Sequence, residues 1–281
     1  MLQRPVPLLH SAVEIDLSVI TKDALAKFGY KFGKNGPHAS RTMMLSELEV
    51  LLSAVPIQAV QAEYRRAIVE DNLLSKPSLK ARELTYRHLA DLYGLNPEQA
   101  VFRAFRKLWA LDASSRPLLA LMASLVRDPL LRASEDFMLA KHPGELVRRE
   151  ELEELLAADD PTRFSPASLK SFAQNINGSW TAAGYLQGRA KKIRSVPTVT
   201  HVHVAFALFL GHLEGLSGQT LFASHWMALF PGATDKLELL ATSAANRGLL
   251  VFMNAGGVKE TRFPGWLTAD EEQWRLEQSN V

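Results

Sequence analysis

The chain has no cysteine among its 281 residues. Disulfides, thiolate metal sites and cysteine nucleophiles are therefore excluded, and a reducing compartment is expected. Long apolar runs are missing too. The longest, Val204 to Leu213, is interrupted by Gly211 and His212, well short of the ~20 residues that span a bilayer. The opening MLQRPVPLLHSAVEIDL lacks the apolar core of a secretory signal, so a cytoplasmic protein without membrane contact is expected.

Catalytic signatures are equally scarce. There is no H-E-x-x-H, G-x-S-x-G, G-x-G-x-x-G or D-x-D-x-D-G pattern. Gly29, Gly33, Lys34 and Asn35 imitate a phosphate loop, but one residue is missing between the glycines and no Ser or Thr follows the lysine. His201, His203, His212 and His225 have no carboxylate at ligand spacing and are expected to be core or surface histidines. The pairs Glu150-Glu151, Glu153-Glu154 and Asp159-Asp160 fall on a helix with leucines on its other side, which predicts a solvated face rather than acid–base chemistry. No enzyme activity, metal or cofactor is expected.

What is present is an ordinary globular composition, 47% hydrophobic and 22% charged, enough for about two domains. We expect a mainly α fold: an N-terminal helical domain over 1–143 and a C-terminal one over 144–281. The net charge of +2 says little, but its distribution is segregated. Lys22 to Arg41 carries five basic residues against Asp23, and Lys76 to Lys107 carries seven against Glu83, Asp91 and Glu98. Ser165 to Val196 carries five and no acid, whereas Glu145 to Asp160 has seven acids against Arg148 and Arg149. Segregation of this kind predicts a polyanion-facing surface.

Apolar spacing predicts helices over 16–30 (capped by Asp16 or Ser18), 40–54 and 57–71. Ser78 and Gly94 bracket a helix over Leu79 to Leu92, and Asn96 with Pro97 opens the next. Arg116-Pro117 and Asp128-Pro129 open two more, the second running to about Leu139. An acidic helix over 145–158 should turn Leu146, Val147, Leu152, Leu155 and Leu156 inward. Ser165-Pro166 starts a helix that Asn177-Gly178 should end or bend, and Gly184 to Pro197 reads as irregular or a short hairpin. Thr198 to Leu213 alternates like a strand at first, then becomes apolar throughout; helix fits the background better. Lys236 to Asn246 should be a helix, followed by strands from Leu249 to Met253 and Val258 to Phe263 around Gly256-Gly257. This last order predicts a winged-helix-like β-hairpin at the C-terminal end of a set of helix-turn-helix-like units.

Two segments carry nucleic-acid chemistry. Lys76, Lys80, Arg82 and Arg87 surround one helix start, and helix N-termini attract phosphate. Lys170, Gln174, Asn175 and Asn177 precede a basic tail of Arg189, Lys191, Lys192 and Arg194. Amides read adenine edges, and Lys or Arg holds phosphate. The competing reading is a set of solvated helix faces around core Phe172 and Trp180.

The segments NLLSKPSLKARELTYRHLADLYGL, RPLLALMASLVRDPLLR and SPASLKSFAQNINGSWTAAGYLQG resemble the BrxA family of BREX phage-defence systems, over Val60 to Lys192. The resemblance implies a helix-rich, non-enzymatic protein that binds duplex DNA and works beside the other subunits of a phage-defence complex. The alternative expectation is a scaffold in the same kind of complex. It would dock partners through the acidic helix and the apolar C-terminal third, without touching DNA.

Overall fold

Caps and apolar spacing place most helices where the sequence puts them. The computed structural model describes residues 20–279, so the expected caps Asp16 and Ser18 lie outside the described residues. Helix α1 (Lys22–Phe28) begins at Thr21, whose hydroxyl accepts the Ala24 N–H, and stops at Gly29. Helices α2 (Leu45–Ala54) and α3 (Gln61–Val69) follow. Helix α4 (Leu79–Tyr93) agrees with expectation at both ends: Ser78 Oγ accepts the Ala81 N–H at 3.2 Å, and Gly94 takes the C-cap.

Helix α5 (Ala100–Trp109) starts later than Asn96-Pro97 suggests. The Asn96 side chain accepts the Glu98 N–H at 3.0 Å, and this local bond holds a turn in place of a first helical turn. Helix α6 (Arg116–Arg127) starts with Pro117 in its first turn. The single helix expected after Asp128 is two, α7 (Pro129–Arg132) and α8 (Glu135–Ala140). Ser134 sits at the break, donating to Leu131 O at 2.6 Å and accepting the Trp180 indole N–H at 2.9 Å.

Two expectations fail in the next stretch. The acidic helix does not begin at 145: strand β1 (Leu146–Val147) comes first, then α9 (Arg149–Ala157). Leu146 and Leu155, read as inward, are 39% and 38% exposed. Helix α10 (Pro166–Ala182) runs straight through Asn177-Gly178. Glycine suits that position because a Cβ there would lie 3.0 Å from the Thr42 methyl; it admits a close neighbour rather than breaking the helix. Strands β2 (Leu186–Gln187) and β3 (Lys192–Arg194) form the short hairpin, and β1 adds to it antiparallel, in the order β1-β3-β2.

Helix α11 (His201–Leu213) settles the ambiguous segment. Thr200 caps it, and nearly every side chain along it is buried, which is why its apolar pattern shows no clean period. It packs on α5 and α6 and also on α13 (His225–Ala228) and α14 (Thr234–Asn246), with α12 (Gly218–Phe222) alongside. Buried side chains from both sides of residue 143 thus belong to one continuous core. The C-terminal β-hairpin is present as β4 (Val251–Ala255) and β5 (Val258–Arg262), before α15 (Ala269–Ser279). The protein is mainly α, with two small antiparallel sheets. Among the described residues no helix is long and apolar enough to cross a membrane.

The histidines are tied into this core. His225 lies between two carboxylates, 3.3 Å from Glu135 and 3.3 Å from Glu214. Burial alone would lower its pKa, but hydrogen bonds to both carboxylates and their charge outweigh burial and raise it to about 9. Burial lowers His203 to about 4 and His212 to about 3.

Between about pH 6.5 and 9 the folded chain keeps a proton on His225 that the unfolded chain has lost, so stability falls as pH rises. Between about pH 4 and 6.5 the unfolded chain protonates His203 while the folded chain does not, so stability falls as pH drops. Denaturant melts across this range should give a dome near pH 6.5, and His225→Gln should flatten its alkaline side. An alkaline limb unchanged in the variant would refute the assignment.

Candidate nucleic-acid interface

Helix α10 supplies the centre of the site. Its buried residues are Phe172, Ala173, Ile176, Asn177, Ser179 and Trp180. Lys170 and Gln174, four apart and both exposed, share another side of the helix, with Asn177 at its buried edge. The turn between β2 and β3 stands next to it, tight enough that a Cβ on Gly188 would come within 2.2 Å of Lys191 O. Pairing of Val147 with Lys192 brings the end of β1 alongside, and with it Arg148.

These elements enclose a cleft of about 550 Å³, lined by Arg148, Arg149, Gln174, Asn177, Arg189, Lys191 and Lys192, with Glu150 as its acid. Arg149 is neutralised by Glu150 at 2.6 Å and Glu153 at 2.5 Å. Lys192 donates to Gly188 O at 2.8 Å across the turn. Arg148, Arg189 and Lys191 are exposed and form no ion pair among the described residues. At the floor, Asn177 is only 5% exposed, and its Oδ1 has no hydrogen-bond partner among the described residues.

Other candidates separate into free and committed groups. Lys170 and Gln174 are exposed on the cleft side of α10, and Lys80 and Arg87 are exposed on α4. Arg87 and Arg41 both approach His88, whose pKa is lowered by burial first and then by these two charges. Since Thr42 packs against Gly178, the loop carrying Arg41 links the Arg87 end of α4 to the middle of α10.

Four expectations need correction. Lys76 is paired with Glu47 at 3.1 Å. Arg82 donates to Val69 O at 2.8 Å, closing the end of α3. Asn175 donates to His38 O at 3.0 Å and faces the loop, not solvent. Arg194 is buried: it donates to Met138 O at 3.1 Å, to Tyr185 O at 3.3 Å and to Ser195 O, and stacks on the Tyr185 ring at 4.8 Å. Arg194 is held inside the fold, and Lys76, Arg82 and Asn175 are half-buried and already engaged by a carboxylate or carbonyls of the chain itself. Nor does the C-terminal hairpin supply free cations, since Lys259 pairs with Glu238 and Arg262 with Glu260.

Sequence reasoning missed Arg148, because it sits within an acidic run. It also missed Asp128, His38 and Ser179, which lie in the order of a nucleophilic triad. The His38 ring donates from Nδ1 to Asp128 at 2.7 Å, and its Nε2 is 2.7 Å from Ser179 Oγ. All three are 0% exposed. Ser179 Oγ is further occupied by the Met43 N–H at 2.8 Å, so no substrate can approach it.

The cluster is a lock. Asp128 caps α7 through the Leu130 and Leu131 N–H groups and accepts the His38 backbone N–H as well. Burial alone would raise the Asp128 pKa, but the His38 hydrogen bonds and charge outweigh it and hold the carboxyl below the usual range. Among the described residues no group of His, Asp and Glu could hold a metal ion. The chain matches no protein-family profile and no curated protein.

Proposed function

We propose that this protein is a DNA-binding, non-enzymatic subunit of a BREX-like bacterial phage-defence system, acting in the cytoplasm beside partner subunits. The observation that carries the DNA-binding part is the cleft, where unpaired Arg148, Arg189 and Lys191 flank the open side of α10. The sequence β1, α9, α10, β2, β3 is that of a winged helix. In this reading α10 enters the major groove and the Gly188–Lys191 turn is the wing on the backbone. The expected wing at the C-terminus gives way to this one because its cations are already neutralised. The defence role rests on the resemblance over Val60 to Lys192, the stretch that also builds the cleft.

Phosphate contacts dominate such a surface, so affinity should fall steeply with salt. Arg148, Arg189, Lys191 and Lys192 are the cations available at the cleft, and Lys170 is exposed one turn before Gln174 on α10. Anisotropy titrations of a duplex from 50 to 200 mM salt should give a log–log slope of about −3 to −5, at roughly 0.9 per phosphate neutralised. A flat salt response, or no binding at low salt, removes the reading.

A scaffold role has its own support. The C-terminal hairpin turns Val251, Met253 and Val258 outward, the last 73% exposed, and its own Lys259 and Arg262 are paired with Glu238 and Glu260. A stable complex with partner subunits, with no DNA retained by the free protein, would favour that second reading.

A further inference from the structure

We infer that Arg41 and Arg87 hold the second strand of the duplex, on the flank of α10 opposite the Gly188–Lys191 turn; this rests on the DNA-binding reading of the cleft. The starting point is the pitch of α10. A helix turns about 100° per residue, so Asn175 and Asn177 project about 200° apart. Asn177 borders the cleft with Arg189 and Lys191. Asn175 instead donates to His38 O at 3.0 Å. The wing and the loop that follows His38 therefore lie on opposite flanks of the helix.

Lys170, Gln174 and Gly178 run between those flanks at spacings of four. Lys170 and Gln174 are exposed, and Thr42 reaches Gly178, where an added Cβ would lie 3.0 Å from its methyl. Arg41, one residue earlier, thus stands at the edge of the open side of α10. The turn Pro37–Ala39 packs on both α10 and α4, and so carries the loop across to Arg87.

Arg41 and Arg87 are both exposed and form no ion pair among the described residues. Arg41 Nη1 donates to the carbonyl of its neighbour Ser40 at 3.0 Å. Both charges act on buried His88, so the two guanidinium groups stand near one another. Asp91, the acid that also acts on His88, is taken by Lys31 at 2.7 Å. Two unneutralised guanidinium groups repel, and a phosphate seated between them removes that repulsion and accepts from both.

The major groove is about 12 Å wide, with one phosphate strand along each rim. A helix in that groove therefore meets phosphates on both flanks. Arg148, Arg189 and Lys191 face one strand, and Arg41 with Arg87 faces the other.

The test uses the full chain and anisotropy titrations against salt. Two further phosphates add about two units to the log–log slope that the cleft supplies. Arg41→Ala with Arg87→Ala should remove them, returning the slope to about −3 to −5. The melting transition should not move, because both side chains are exposed. Should the double variant not fold, Arg87→Gln alone should remove about one unit. A single-stranded oligonucleotide of the same length offers no second rim, so the double variant should bind it as tightly as the wild type does.

A duplex slope left unchanged by the double variant overturns this inference and leaves the DNA-binding reading standing. So does an equal loss of affinity on the single strand. Failure of every duplex to bind at low salt overturns both.

Discussion

Asp128→Ala should lower stability by about 3–5 kcal/mol, the cost of removing one partner from a buried, hydrogen-bonded pair. The effect is large because one carboxylate makes three hydrogen bonds to two segments. It holds the His38 ring at 2.7 Å and the His38 backbone N–H at 2.8 Å, and it caps α7 through the Leu130 N–H at 2.9 Å. Loss of a cap alone costs only about 1 kcal/mol; the remainder comes from a buried histidine left without its acceptor.

His38 in turn anchors α10 through Ser179 and Asn175, so duplex affinity should fall together with stability. Asp128→Asn keeps a capping oxygen and should do less damage than Asp128→Ala. Urea melts with unchanged m-value would measure both. A loss below about 1 kcal/mol for the alanine variant would show that the lock is weaker than its geometry implies.

The double substitution Arg189→Ala with Lys191→Ala should weaken duplex binding by about 10- to 100-fold at physiological salt and make the salt slope shallower by about two, one unit per phosphate released. Neither side chain packs into the core or forms an ion pair among the described residues, so the melting transition should stay put. Arg194→Ala, only three residues away, should do the reverse. It removes the guanidinium that joins β3 to the end of α8 and to the turn after α10, so it should lower stability while the salt slope of the folded fraction is kept. Equal losses of affinity in the two variants, with no difference in stability, would contradict the division between free and committed cations.

Much of the secondary structure was legible because its causes are local. Ser78, Ser165, Thr200 and Asp128 cap the helices they precede, and Gly94 closes α4. Errors arose where a distant partner overrode a local signal. Asn177-Gly178 is a pair expected to end or bend the helix because Asn-Gly favours turns, yet α10 continues through it, with a Cβ on Gly178 lying 3.0 Å from the Thr42 methyl. Leu146 and Val147 were read as helix because the acidic run follows them, yet pairing with β3 makes them a strand.

For the site, α10 and its basic tail were legible. Which of their residues face outward was not. The charge pattern treats Lys191 and Arg194 alike, yet the fold leaves the first exposed in the turn and buries the second against the carbonyls of Met138 and Tyr185.

Sequence alone determined the mainly helical character, both ends of α4, the starts of α6, α7 and α10, the C-terminal hairpin and the excess of positive charge from Ser165 to Val196. These follow from backbone capping and apolar period, which act over a few residues. Tertiary structure alone decided which cations remain free. Arg82, Arg106, Arg132 and Arg194 end on carbonyl oxygens of other segments, and Lys76 on the carboxylate of Glu47. An arginine satisfies a carbonyl end of a helix as readily as a phosphate, because both are clusters of acceptors. The choice between them depends on what the fold brings within about 3 Å of the guanidinium, and that is fixed by chain segments far apart in sequence.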